Sequence, residues 1–173
     1  MGTKHIIVLP YDEGWTQAFE NIRAELDTAL GRLALSIEHV GSTSVRGLAA
    51  KPIIDIDVVI ESSAVFGEVK AALAKAGYHH KGDLGITGRE AFSYEGKEHL
   101  MKHHLYVCPE NSAELRRHTA FRDYLRTHPD AVAEYSRIKA EGAKLFPHDI
   151  DSYITHKSPF IESIYCKIGL ATD

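Results

Sequence analysis

The 173-residue chain has only two cysteines, Cys108 and Cys166, 58 residues apart. That spacing fits no zinc-binding pattern and builds no disulfide framework, so both are expected to be reduced, buried thiols. The chain also lacks a basic surplus, with 20 Lys+Arg against 24 Asp+Glu and a formal net charge of −4. Sequence-independent binding of a duplex needs many Lys/Arg contacts to phosphate, so no polynucleotide partner is expected, whereas a small anionic ligand needs only a few local donors. Long apolar runs are missing too. The longest aliphatic stretch, Pro52 to Ile60, carries two aspartates, and Met1-Gly2-Thr3-Lys4 opens without the apolar core of a signal peptide. Neither a membrane nor export is indicated, and a cytoplasmic location is expected. At 44% hydrophobic and 25% charged, the composition excludes collagen-like and disordered classes, and the length fits one domain over residues 1–173. Histidine alone is plentiful, with 11 residues.

Hydrophobic period orders the elements. Ile6 to Leu9 reads as a short strand stopped by Pro10. Trp15, Phe19, Ile22, Leu26 and Leu30 describe an amphipathic helix that Gly31 ends. Leu35 to Val40 reads as a strand running into Gly41-Ser42-Thr43-Ser44, and Ile53 to Ile60 is the strongest strand signal in the chain. A helix capped by Ser62 or Ser63 carries Val65, Phe66, Val69, Leu73 and Ala76 up to Gly77. A strand near Tyr78 follows, then a glycine-punctuated loop, then a hairpin of Arg89 to Tyr94 and Lys102 to Cys108 turning at Glu95-Gly96-Lys97. From Ser112 onward the pattern is helical, with Pro129 starting a new helix and Ser158-Pro159 interrupting or restarting the last one. The expected fold is α/β (α+β): a small mixed sheet flanked by helices, with a helical C-terminal third.

Asp55 and Asp57 carry the sharpest chemical signal. Residues two apart on a strand share a face, so the two carboxylates project side by side while Ile54, Ile56 and Val58 anchor the other face. Two adjacent anions need a counter-charge, and Mg²⁺ suits them, since it is commonly held by one or two carboxylates together with substrate phosphates. A solvated edge strand would show the same pattern. The Gly41-Ser42-Thr43-Ser44 turn lies just upstream, where glycine permits close backbone approach and the hydroxyls and amides can cradle a phosphate. Lys51, Lys139 and Lys157 are candidate phosphate contacts, with Tyr153 and Lys157 four apart on one helix face. Arg122 and Arg126 share a face as well, and an ion pair with Asp123 accounts for them equally. His39 stands ready to position the turn or to bind metal, and His79-His80 reads as a surface pair.

A strand, a Gly-Ser turn and Asp-x-Asp on the next strand resemble the core of the nucleotidyltransferase superfamily. Leu9-Pro10-Tyr11-Asp12 with Trp15 and Phe19, Ile37 to Val45, Gly47-Leu48 and Ala50 to Ile56 resemble the GrpB family, as do His103-His104-Leu105, Phe121 to Arg126 with His128-Pro129, and Tyr153 with Lys157, Phe160 and Ile161. The resemblance implies the nucleotidyltransferase fold, Gly41 and Ser42 on a triphosphate, and Asp55 and Asp57 on the metal. The superfamily usually places a third acid on a later strand, which here reads Lys102-His103-His104-Leu105-Tyr106-Val107 without a carboxylate. His104 and Tyr106 share one face and His103 the other, so the His104 imidazole can stand in as ligand or base. Tyr106 occupies a position where the family often has a second histidine, and Arg46 replaces its usual proline. Glu38, Glu90 and Glu95 are further candidates for the third acid.

These residues lead to transfer of a nucleoside monophosphate from an NTP to a small-molecule acceptor. Asp55, Asp57 and His104 would act as catalytic residues and metal ligands, with Mg²⁺ or alternatively Mn²⁺, and Gly41, Ser42, Thr43, Lys51 and Lys157 would hold the nucleotide. Two other classes fit the same residues: a catalytically silent nucleotide-binding module, and a phosphohydrolase with a transition metal on Asp55, Asp57 and His103/His104.

Overall fold

The computed structural model describes residues 4–171, so Met1-Gly2-Thr3 of the expected leaderless start lies outside the described residues. Five strands and five α-helices run in the order α1 (Gly14–Leu30), β1 (Ser36–Val40), β2 (Ile54–Ile60), α2 (Phe66–Lys75), β3 (Tyr78–Gly82), β4 (Glu90–Tyr94), β5 (His103–Pro109), α3 (Ala113–Arg126), α4 (Pro129–Leu145) and α5 (Ile150–Lys167). The sheet order is β1-β2-β5-β4-β3. Only the central β2 and β5 pair in parallel; every other neighbour is antiparallel.

Burial explains the pattern. Ile54, Ile56 and Val58 of β2, with Leu105 and Val107 of β5, are fully buried on one face of the sheet. They pack with Trp15, Phe19, Ile22, Leu26 and Leu30 of α1 and with Val69 and Leu73 of α2. A second cluster, formed by Leu125, Val132, Tyr135, Phe160 and Ile164 of α3 to α5, closes over Val45 and Leu48. The C-terminal helices therefore grip the loop between β1 and β2. Two N–H groups of Arg126 donate to the Ser44 carbonyl at 3.0 and 2.8 Å, and the Ala49 amide donates to Ser136 Oγ at 3.0 Å.

Four expectations change. Ile6 to Leu9 forms no extended strand but a single antiparallel bridge from Leu9 to Ala50, because Pro10 has no N–H with which to continue the ladder. The hairpin turn is longer than Glu95-Gly96-Lys97, since β5 begins only at His103. Pro159 does not interrupt α5, which runs on through it with Tyr153, Phe160 and Ile164 buried. The single hydrogen bond a proline removes is outweighed there by the packed face. Cys108 is buried as expected, but Cys166 is exposed. Among the described residues no helix is long and apolar enough to cross a membrane.

Because the interior strand β2 aims the carboxylates, its inward face sets the stability of the site. Ile56→Ala is expected to destabilise the chain by roughly 2–5 kcal/mol, the range for opening a cavity at a fully buried aliphatic. A shift in the urea unfolding midpoint at unchanged slope checks this.

Candidate functional site

The sheet face opposite α1 and α2 carries the polar residues. Asp55 lies beside His104 and Asp57 beside Tyr106 across the parallel β2–β5 pair. His104 Nδ1 is 3.0 Å from Asp55 Oδ1, and Asp55 remains about one-third exposed. Asp57 is fully buried. Its Oδ2 lies 2.6 Å from Nδ1 of His118 on α3, while Oδ1 is buried with no partner. Burial pushes the His118 imidazole down, but the hydrogen bond to Asp57 and the charges of Asp57 and Glu114 outweigh it and hold the ring above its ordinary value.

The turn after β1 is fitted to this pair. Gly41 has φ +73°, and a Cβ built on it would lie 2.2 Å from Asp55 Oδ2, so only glycine admits the backbone this close to the carboxylate. His39 stacks on Phe19, with ring centroids 4.6 Å apart, and meets Thr43 Oγ1 at 2.9 Å. Burial, assisted by the nearby Arg126 charge, pushes His39 down to about 4, so a neutral ring supports the turn. Thr43, expected to face phosphate, is buried with its hydroxyl on His39 and so braces the turn from behind.

Ser42 meets the other half of the site. Lys139 of α4, only 3% exposed, donates to Ser42 Oγ and, at 3.0 Å, to the Ala49 carbonyl. Lys51 and Lys157 lie over the Tyr153 ring at 5.8 and 5.1 Å from its centroid. Burial lowers both buried ammoniums, and the neighbouring lysines lower them further: Lys139 falls well below its ordinary value and Lys157 to about 8, while Asp55 opposes the shift in each. Lys139 thus bonds Ser42, and the charges of Lys157, Asp55 and Lys51 all reach it.

The third acid is not supplied by the three glutamates named for it. Glu38 lies opposite Asp57 on β1 but is bonded to Arg122 at 2.8 Å, Glu90 is bonded to His80 at 2.7 Å, and Glu95 is exposed. Among the described residues no three His, Cys, Asp or Glu side chains converge as a metal site. With His104 turned onto Asp55 and His118 onto Asp57, the oxygens left for a divalent cation are Asp55 Oδ2 and the orphaned Asp57 Oδ1. Such a pair suits Mg²⁺, which completes its shell with water and phosphate oxygens. A cavity of about 200 Å³ opens at Asp55, lined by Val40, Gly41, Asp55, Arg89, Tyr106 and His118. A larger one of about 950 Å³ lies between α1 and α2, on the far side of the sheet, and is lined mainly by alanines and aliphatic stems.

The GrpB protein family matches residues 5–167. This chain belongs to the GrpB family. It is 34% identical to the glutamate-rich protein GrpB of Alkalihalophilus pseudofirmus over 92% of its own length and 93% of that protein. It is 32% identical to the UPF0157 protein YqkA of Bacillus subtilis, but spans only 46% of that relative's length. A crystal structure of GrpB from Enterococcus faecalis superposes with a TM-score of 0.82 at 35% identity, covering 95% of this chain and 97% of that one. The Cid1 poly(U) polymerase bound to MgATP shares the fold at TM-score 0.54 and 12% identity, over 76% of this chain and 42% of its own. The nucleotidyltransferase-like fold expected from the Gly-Ser turn and Asp-x-Asp is thus present.

In this GrpB-family chain, Gly41 and His104 lie against Asp55, Ser42 meets Lys139, and Lys51 and Lys157 share the Tyr153 ring, while Asp57 is turned to His118. Sequence reasoning missed His118 and Arg89. His118 had a usable signal, since it lies four residues before Arg122 and eight before Arg126 on one face of α3; Arg89 had none.

Removing the imidazole would leave Asp57 buried and ionised without a partner. His118→Ala is expected to destabilise the fold by about 3–5 kcal/mol at neutral pH, and Asp57→Asn in the same chain to recover most of that loss. Because the folded-state pKa of His118 is raised, its contribution is full below the ordinary imidazole value of 6.5 and is lost as pH rises through the raised one. Chemical denaturation of the single and double variants across that range tests both statements.

Proposed function

We propose that this protein moves a nucleoside monophosphate from an NTP to the hydroxyl of a small-molecule acceptor. The observation that carries the reading is the buried Lys139 on Ser42, with Lys157 and Lys51 close enough for their charges to reach it, next to Asp55 on a nucleotidyltransferase-like fold. Neighbouring lysines that lower the pKa of Lys139 and Lys157 are costly in the free protein, and a polyphosphate relieves that repulsion on binding.

In this reading Ser42 and the three lysines hold the β- and γ-phosphates, and the Gly41 backbone lets the chain pass close to them. Asp55 Oδ2 and Asp57 Oδ1 would hold Mg²⁺, which supplies charge neutralisation at the α-phosphate and the acceptor oxygen. The Nδ1–H of His104, donated to Asp55, fixes the tautomer that leaves Nε2 with a free lone pair for the acceptor's proton. The acceptor oxygen bonds to the α-phosphorus, the bond to the bridging oxygen breaks, pyrophosphate leaves and the proton passes to His104. Positioning and charge neutralisation supply most of the rate, as in phosphoryl transfer generally.

A catalytically silent nucleotide-binding module is the second reading, favoured by the engagement of Glu38 and Glu90 elsewhere and the lack of a carboxylate on β5. A transition-metal phosphohydrolase has no converging His/Asp cluster among the described residues to build on. His103, one of its ligands, is buried between Tyr78 and Met101, with Nε2 on the Tyr78 hydroxyl and Nδ1 on the Met101 carbonyl.

Calorimetry with MgATP and the other Mg-NTPs tests the reading first, followed by pyrophosphate release across a panel of hydroxylated acceptors. Binding is expected to weaken about ten- to a hundredfold in Lys139→Met, the size of a lost charge-assisted contact. Asp55→Asn is expected to bind nucleotide but release no pyrophosphate. Turnover surviving in Asp55→Asn refutes the mechanism, and tight binding without turnover on any acceptor selects the silent module. Because free Lys157 titrates near 8, affinity is expected to fall as pH rises through that value. At and just above it, binding takes up protons, seen as a heat that depends on the buffer's ionisation enthalpy.

A further inference from the structure

The side of the small cavity away from the lysines has a cation of its own. Arg89 enters β4 directly after Gly88, whose φ is +84° and whose carbonyl accepts from Ser112 Oγ at 2.7 Å, so the start of this strand is anchored. The Arg89 guanidinium lies over the Tyr106 ring, 4.2 Å from its centroid. Its Nε is buried with no hydrogen-bond partner. A buried donor left unmade costs about 1–3 kcal/mol, more when it is charged, a cost that an arriving anion would relieve. Of the nearby carboxylates, Asp57 gives Oδ2 to His118 and keeps Oδ1 unpaired, and Glu114 is bonded to Arg117 at 2.6 Å and to His118 at 3.5 Å. Asp55 shares the cavity wall with Arg89, Tyr106 and His118.

The charges are therefore divided. Lys139 meets Ser42, and Lys51 and Lys157 share the Tyr153 ring, while Arg89, Tyr106 and Asp55 line a small cavity whose wall includes none of these lysines. A space of about 200 Å³ admits one small group, and a guanidinium over an aromatic ring is suited to an oxyanion bound through two parallel N–H bonds.

We propose that Arg89 and Tyr106 form a second anion subsite, which binds a carboxylate or phosphate group carried by the acceptor and turns the acceptor's hydroxyl toward Asp55 and His104. The acceptor role rests on the nucleotidyl-transfer reading above; the anion subsite itself does not. The substrate class is then a small hydroxylated acid or phosphate monoester, with its negative charge read separately from the NTP.

The test follows the Arg89 Nε–H resonance of the full chain by NMR, assigned by its loss in Arg89→Lys, during separate titrations with inorganic phosphate and with acetate. The expected result is a saturable shift of Arg89 and of the Tyr106 amide, unchanged when Lys139→Met weakens the lysine side. Arg89→Gln is expected to weaken the anion response at Tyr106 about ten- to a hundredfold, with Arg89→Lys in between. The anion that binds more tightly identifies the acceptor's charged group. If neither anion moves Arg89 in the folded wild-type protein, or if both move only the residues around Ser42, the proposal is overturned. MgATP titrations of the same sample keep the two readings apart: failure there with a surviving Arg89 response removes nucleotidyl transfer and leaves the subsite.

Discussion

The site is organised by one electrostatic constraint: a carboxylate with no solvent exposure, Asp57, in the middle of the interior strand β2. An ionised group cannot stay there without a compensating charge. His118 supplies it from α3, and the contact ties the sheet to the C-terminal helices. The same helix sends Arg122 to Glu38 and Arg126 to the Ser44 carbonyl, so one face of α3 fixes the Asp strand, its neighbouring strand and the turn together. The carboxylate pair and the phosphate turn are thereby locked in one frame, with His39 and Thr43 bracing it from the far side.

The opposite constraint operates at Lys139. An ammonium buried among aromatic rings and near two other lysines is held by a hydroxyl and a carbonyl rather than by a carboxylate. Such a group contributes little to the stability of the free protein, and its placement makes physical sense as preorganisation for an anion. Between the lysine cluster and the Asp57–His118 pair stands Asp55, partly exposed and touched by His104. Cations meet both Ser42, through Lys139, and the small cavity beside Asp55, through Arg89.

The chain's acidic balance of −4 remains consistent with this arrangement. Most of its lysines and arginines are exposed, and Lys139 is the one buried among the described residues. Of the 11 histidines, His39, His104 and His118 serve the site, and each has a different role set by its surroundings: neutral brace, partly exposed partner of Asp55, and counter-charge.

How much of this was legible beforehand follows from the range of each interaction. The alternation of Ile54, Asp55, Ile56, Asp57 and Val58 depends only on the two-residue period of a strand, so the sequence alone set the carboxylates on one face and the aliphatics on the other. The spacing of Trp15, Phe19, Ile22, Leu26 and Leu30 likewise specified α1, and the Gly41-Ser42 turn before the Asp strand specified the fold class. The sequence could not show that Lys139 reaches Ser42 across 97 residues, or that His118 reaches Asp57 across 61. Nor could it show that Glu38 is spent on Arg122 or that Arg89 stacks on Tyr106. Those pairings depend on how α3 and α4 dock onto the β1–β2 loop, and a polar residue carries no local mark of the partner it will meet. Local periodicity thus determined the elements and the carboxylate pair, while only the tertiary packing decided which charges face them and where the unpaired donors point.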